Sequence, residues 1–169
     1  RLRMIGVSLD DRSELDDDTV RLGDTRLRNL MSRATMDGFQ VAVDAEAPAA
    51  TRQVLGAIEE LGQTYTGERR WRIERTRPVD PANFGYYFRL QAIATLQPAR
   101  FPPGTVAPMA AQHIAFGSDF PTASPNPFAG IAAAMTAASA SAQSVISGFS
   151  TGAAYADRAE DQIGSLTPG

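Results

Sequence analysis

This chain lacks most of the side chains that serve as nitrogen or sulfur ligands of metals, as imidazole bases or as strong nucleophiles. His113 is the single histidine, there is no cysteine, and all 16 basic residues are arginine. The chain by itself therefore cannot build a His-rich metal centre, a zinc–thiolate site, a cysteine nucleophile or a Schiff-base lysine. Ser118 has no neighbouring histidine to activate it, which excludes a serine triad. His113 precedes a predicted strand, so we expect it to pack or to face solvent.

The charge pattern argues against calcium and nucleic acid as partners. Residues 14–18 are strongly acidic, but they lack the alternating spacing of a calcium loop and are typical of a solvated loop. The net charge of −3 and the pI near 5.1 give no general attraction to nucleic acid. No run of 18 strongly apolar residues predicts a transmembrane helix. The first residue, Arg1, suggests a processed or trimmed N-terminus.

Short apolar runs alternate with stretches of helical periodicity along the whole chain. This alternation predicts parallel βα units in one domain spanning 1–169, although the chain is too short for a complete barrel of roughly 250 residues. We expect strands at 4–9, 39–43, 71–74, 93–96 and 114–117. We expect helices at 24–37, 49–61 and 80–90, a long one starting near 127, and a last one at 153–160.

Residues 120–156 contain no charged side chain and consist mostly of Ala, Ser, Gly and Thr. A helix on a free-standing domain usually carries Glu or Arg on its wet face. Two interpretations remain open. The stretch is either a flexible, low-complexity connector or a helix covered on several sides, in part by another chain.

Several segments resemble, in order, those of the metal-dependent amidohydrolase superfamily, in particular its N-substituted formamide deformylase-like branch. The most specific are Gly-Ser-Asp-Phe-Pro at 117–121 and Ser-Pro-Asn-Pro-Phe at 124–128. The other matching segments are 38–45, 70–75, 93–98 and 164–169. The resemblance implies an α/β fold, a truncated TIM-like barrel of about five parallel βα units that lacks the first strands and the terminal β-sandwich.

The resemblance also implies where a metal site would lie. The family's usual ligands are a His-x-His pair on the first strand, a carboxylated lysine on the fourth, and histidines on the fifth and sixth. An aspartate at the end of the eighth strand acts as the base. Matched position by position, these places hold Ser8 on the fourth strand, Asp44 on the fifth, Arg75 on the sixth and Asp119 on the eighth.

These replacements predict that the metal site is lost, with no metal cofactor, because one acidic ligand remains beside a permanent positive charge. We expect Arg75 to replace the metal as the central cation and to pair with Asp44 and Asp119. An alternative is a pocket for a small anion, built on Arg75 and Arg77.

The resemblance therefore favours a non-catalytic protein that serves as a structural or accessory subunit of a larger assembly. A partner chain is expected to cover the open sheet edge and the uncharged stretch 120–156. The alternative is a metal-dependent hydrolase of non-peptide carbon–nitrogen bonds, using zinc or another divalent metal, in which another chain supplies the missing ligands and Asp119 remains catalytic. The absence of cysteine is compatible with either the bacterial cytoplasm or the periplasm.

Overall fold

A computed structural model of the chain describes residues 2–6, 22–77, 84–102, 114–137 and 141–166. The fold is a five-stranded sheet in which every neighbouring pair is parallel and the strand order follows the sequence. The strands are β1 (Leu2–Gly6), β2 (Gln40–Asp44), β3 (Arg72–Glu74), β4 (Ile93–Leu96) and β5 (Ile114–Phe116). The predicted partial α/β barrel is thus confirmed.

Six helices lie between and after the strands in the described parts of the chain. They are α1 (Asp24–Met36), α2 (Pro48–Gly62), α3 (Phe84–Leu90), α4 (Pro127–Ala137), α5 (Ala142–Phe149) and α6 (Thr151–Ala156), with a 3-10 turn at Pro98–Arg100 after β4. None of these helices is long and apolar enough to cross a membrane.

The predicted element boundaries hold only in part. The expected end of the first strand at residues 7–9 and the expected start of α3 at residues 80–81 lie outside the described residues. Within its described residues, the uncharged stretch contains three helices, α4, α5 and α6. A new helix, α5, begins after Ser141 because the Ser141 side chain caps it by accepting a hydrogen bond from the Ser144 amide at 3.2 Å. The last helix ends at Ala156, earlier than expected, because Arg158 adopts a left-handed φ of 58°.

One face of the sheet, which we call the outer face, carries the main hydrophobic core. Val43, Ile73, Ala94 and Ile114 are register partners on four successive strands, so they form one apolar row. This row is buried under α1 and α2, together with the largest buried side chains. Those side chains include Trp71, Tyr87, Leu27, Met31, Ile58 and Leu96. Burial of such a row is the main free energy that holds parallel strands together.

The other face of the sheet, which we call the inner face, is covered by the C-terminal part of the same chain. Ile93 and Ala115 point away from the main core and form a second, smaller cluster with Ala156 of α6. Ala153 and Tyr155 pack against this cluster. Part of the uncharged stretch therefore packs inside the chain, where its small side chains let the helix approach the strands closely.

Two long-range hydrogen bonds hold the end of α6 in this position. The Gln40 side-chain amide donates to the carbonyl of Ala156 at 2.7 Å, and the Arg70 guanidinium donates to the carbonyl of Tyr155 at 2.8 Å. The last carbonyls of a helix have no partner within the helix, so these donors satisfy them. Gln40 also donates to the carbonyl of Arg70, which ties the two donors together.

Arg70 is the centre of a cluster of charged groups at this end of the sheet, which we call the Arg70 cluster (Glu68, Arg70, Tyr155, Arg158, Glu160). The buried Arg70 guanidinium lies 3.7 Å from the Tyr155 ring centroid and 2.6 Å from Glu160. Arg158 donates to the Glu68 carbonyl at 2.7 Å. Hydrogen bonds from Arg70 and Tyr155 lower the pKa of Glu68. This contribution to stability is therefore present above the ordinary carboxyl pKa and is lost as the pH falls through the lowered value.

Gly148 of α5 lies so close to β5 that a larger residue at this position is predicted to destabilise the protein. A Cβ at this position would lie 2.7 Å from Cε2 of the Phe116 ring, which itself packs on Phe149. We expect Gly148→Ala to destabilise the protein by about 1–3 kcal/mol in urea unfolding, because the ring must move.

Gly56 provides the matched control, since it also lies inside a helix but has open space within 4 Å of the position that a Cβ would occupy. Gly56→Ala is expected to stabilise the protein by about 0.5–1 kcal/mol through helix propensity alone. A shift of stability in the same direction for both variants would contradict the close contact between Gly148 and the Phe116 ring.

Candidate functional site

A polar residue lies at, or just beyond, the carboxyl end of each of the last four strands. Asp44 is the final residue of β2, Arg75 follows β3, Gln97 follows β4, and Asp119 lies three residues beyond β5. Because the strands are parallel, these ends meet at one edge of the sheet, which is where barrel enzymes carry their sites.

Arg75 and Asp44 form a two-point ion pair across this edge. The Arg75 Nε donates to Asp44 Oδ1 at 2.8 Å, and the second guanidinium nitrogen donates to Oδ2 at 2.5 Å. The hydrogen bonds that Arg75 donates to Asp44 raise the pKa of Arg75, although burial opposes this rise. The two side chains are only partly exposed, at 38% and 28%. Parallel hydrogen bonds of this kind are among the stronger polar contacts in proteins.

Glu46 connects three arginines from two different loops. Arg100, after β4, donates to its Oε1 at 2.8 Å, while Arg77 and Arg75 lie 3.8 and 3.9 Å from its carboxylate. This arrangement links the chain segments that follow β2, β3 and β4. Arg77 is more than half exposed, so its contribution to stability is small.

Asp119 has a different environment. Within the described residues its carboxylate has no hydrogen bond or ion pair within 4 Å, and its influence is a favourable electrostatic interaction that helps to raise the pKa of Arg75. Both Asp119 and Arg75 adopt left-handed backbone conformations, each with φ of 56°. Non-glycine residues are held there at a cost, and such positions concentrate at functional sites.

The four strand ends border a cavity of about 700 Å³ between the inner face of the sheet and α6. Deeper in the cavity, Arg72 donates to Glu74 at 2.7 Å and to Asp157 at 3.1 Å, and Thr95 donates to the other Glu74 oxygen. These contacts fill part of the region that would be the barrel interior. Phe149, Ile163 and Gly164 form the opposite wall.

The parallel sheet with polar groups at its carboxyl edge defines the chain as part of an α/β barrel. The sequence pattern of the amidohydrolase family matches residues 6–169, and the chain belongs to this family. No curated protein matches the chain.

Two solved structures have the same fold. An uncharacterized metal-dependent hydrolase from Pyrococcus furiosus superimposes with a TM-score of 0.66 at 20% identity, covering 85% of this chain and 34% of its own. An uncharacterized metal-dependent hydrolase from Pyrococcus horikoshii OT3 gives a TM-score of 0.65 at 17% identity, covering 90% of this chain and 37% of its own. The chain thus spans about a third of the length of these structures, and the likeness concerns the fold.

The residues at the strand ends do not fit a divalent metal ion. Asp44 is engaged at both oxygens by Arg75, and the parts of the chain that the structure describes contain no group of three or more His, Cys, Asp or Glu side chains that could hold one. A dication needs several donor atoms, and the guanidinium repels it. Ser8 and His113 lie outside the described residues.

The positions inferred from the sequence are therefore brought together only in part. Arg75 and Asp44 form the expected pair, whereas Asp119 faces Arg75 without a direct hydrogen bond. Arg77 lies beside Glu46, and its role in anion binding stays a prediction. Sequence reasoning missed Glu46, Arg100 and Gln97, yet Gln97 follows β4 just as Arg75 follows β3, so the strand-end rule could have found it.

The Arg75–Asp44 pair gives a double-mutant prediction. We expect Arg75→Gln to destabilise the chain by about 1–2 kcal/mol, because Asp44 loses two charge-assisted hydrogen bonds in a half-exposed setting. Asp44→Asn and the double variant complete the cycle, and urea unfolding measures the coupling, expected at about 1 kcal/mol. Arg77→Gln is the control and should change stability by less than about 0.5 kcal/mol. A coupling energy near zero would contradict the role of this pair.

Proposed function

We propose that this chain is a non-catalytic amidohydrolase-like protein that acts as a structural or accessory subunit of a larger protein assembly. The observation that carries the proposal is the two-point pairing of Arg75 with Asp44, at two positions where the family resemblance implies metal ligands. The family's chemistry requires a metal to activate water and to polarise the scissile bond. A guanidinium cannot replace it as a Lewis acid, because it has no empty coordination position for water.

Exposed apolar side chains support the assembly role. Although residues 120–156 pack partly inside the chain, Phe120, Phe128, Met135 and Ile146 are exposed, Phe128 by 77%. No charged side chain lies between them in sequence. Exposed apolar side chains of this kind are typical of protein–protein contacts, and their burial against a partner is favourable.

A metal-dependent hydrolase of non-peptide carbon–nitrogen bonds, completed by another chain, is the second candidate. Asp119 favours it, because the family resemblance implies that this carboxylate corresponds to the eighth-strand base, and it has no direct partner within the described residues. In that case the other chain must supply the missing ligands, and Arg75 must move away from Asp44.

Metal analysis distinguishes the two candidates. Because the second candidate holds a metal only when another chain supplies ligands, the protein is purified together with its native partners, and elemental analysis is expected to find well under one zinc per copy of this chain. Stoichiometric zinc in the native protein would overturn the non-catalytic proposal.

A restored site provides the positive control for that measurement. In Asp44→His/Arg75→His two imidazoles join Asp119, and histidine tolerates the left-handed backbone at position 75. We expect this variant to bind zinc more tightly than either single variant, because removing the guanidinium and adding nitrogen ligands both favour the ion. If the double variant binds no better than the native chain, the arginine is not what prevents binding.

The assembly role is tested in native cells. A tagged full chain is expected to elute in an assembly larger than its own 18.1 kDa. Phe128→Ser/Ile146→Ser should reduce the recovered assembly by about tenfold or more, since loss of two buried apolar side chains removes several kcal/mol of contact energy. Arg33→Ser/Asp37→Ser, on the exposed side of α1, is the control. A well-folded native monomer would contradict the proposal.

A further inference from the structure

The cavity beside α6 contains two polar side chains that the ion pairs described above do not use. Gln97 is only 6% exposed and lines the cavity, yet its side-chain amide has no hydrogen-bond partner in the described part of the chain. Its amide atoms are not among the fully buried polar atoms that lack a hydrogen-bond partner, so the amide reaches the open space of the cavity and can take a hydrogen-bond partner there.

Asp119 lies at the end of the neighbouring strand and lines the same cavity. Arg75, whose pKa Asp119 helps to raise, is already held by both oxygens of Asp44, so the Asp119 carboxylate has no direct ion-pair partner among the described residues. β4 and β5 pair in parallel, with Leu96 opposite Phe116, which brings the segments carrying Gln97 and Asp119 side by side.

Among the described residues, the charged side chains that line the cavity carry a net charge of −2. They are two arginines and four carboxylates, Arg72, Arg75, Asp44, Glu74, Asp119 and Asp157. Both arginines are paired with carboxylates inside the cavity. A partly enclosed site of this sign attracts cations and repels anions.

The opposite wall of the cavity is apolar. Phe149, Ala154 and Ile163 line it, and Ile163 remains 59% exposed. A cavity of about 700 Å³ is within the range of small-molecule sites, which combine an apolar wall with a few convergent polar groups. The wall provides apolar contact for a short hydrocarbon or aromatic body.

We propose that this cavity binds a small organic cation, a protonated amine with a short apolar body. The ammonium group donates hydrogen bonds to the Asp119 carboxylate and to the side-chain carbonyl oxygen of Gln97, while the apolar body lies against Phe149 and Ile163. An ammonium has three donors and no acceptor, so it matches two acceptors that have no other partner within the described residues. The proposal holds whether or not the protein is catalytic, since it uses groups that form no part of the Arg75–Asp44 pair.

Calorimetric titration of the full chain tests this assignment, with a chelator present so that metal binding does not contribute. The probes are benzylammonium, its neutral counterpart benzyl alcohol, and the anion phenylacetate. We expect benzylammonium to bind and the other two to bind at least about tenfold more weakly, because each lacks the charge-assisted hydrogen bond.

Variants then assign the contacts. Asp119→Asn and Gln97→Met are each expected to weaken benzylammonium binding, the former by about tenfold or more. Asp161→Asn, an equal change of charge at an exposed position that does not line the cavity, is the control and should leave binding unchanged. Thermal unfolding of each variant confirms that it is folded. Tighter binding of phenylacetate, equal losses in Asp161→Asn and Asp119→Asn, or no binding of benzylammonium at millimolar concentration would each overturn the proposal.

Discussion

The hydrogen bonds that Gln40 and Arg70 donate to the last carbonyls of α6 determine the shape of the rest of the molecule. A parallel sheet has two apolar faces, and α1 and α2 cover only the outer one. The inner face is covered because Gln40 holds the end of α6, which lies 116 residues further along the sequence. Without these donors the carbonyl of Ala156 would lose its hydrogen bond and that of Tyr155 would keep only the Arg158 amide, and the helix that covers Ile93 and Ala115 would be less firmly held.

The position of α6 converts an open sheet into one wall of a cavity. Because Arg72 reaches Asp157 just beyond α6, the charged groups of the inner face are partly neutralised by the segment that covers them. Gly164 completes this arrangement, since its φ of 92° and its close approach to Ala154 leave no room for a side chain. The same segment therefore supplies apolar cover, a counter-charge and the cavity wall.

The sequence allowed the prediction of those features that depend on local pattern. The alternation of strands and helices predicts the parallel sheet, and the placement of Asp44 and Arg75 follows because Asp44 ends one strand and Arg75 directly follows the next. The return of α6 onto the inner face was not predictable, because it depends on Gln40 and Arg70, neither of which differs locally from an ordinary surface residue. The composition of residues 120–156 pointed equally to a connector, since small side chains serve both flexible segments and close packing.

The absence of lysine has a consequence at both ends of the sheet. Arg70 and Arg75 each present a rigid, planar fork of donors, and Arg75 uses it to bind both oxygens of one carboxylate through two parallel hydrogen bonds, a geometry that a compact ammonium does not match. At Arg75 this geometry uses both oxygens of Asp44, so the carboxylate that could have shared in metal binding is fully engaged. Asp119 has no such partner within the described residues and remains the available charge at the strand ends. The proposed loss of metal chemistry and the proposed binding of an organic cation thus have one cause. Arg75 neutralises Asp44 and leaves Asp119 without a direct partner among the described residues.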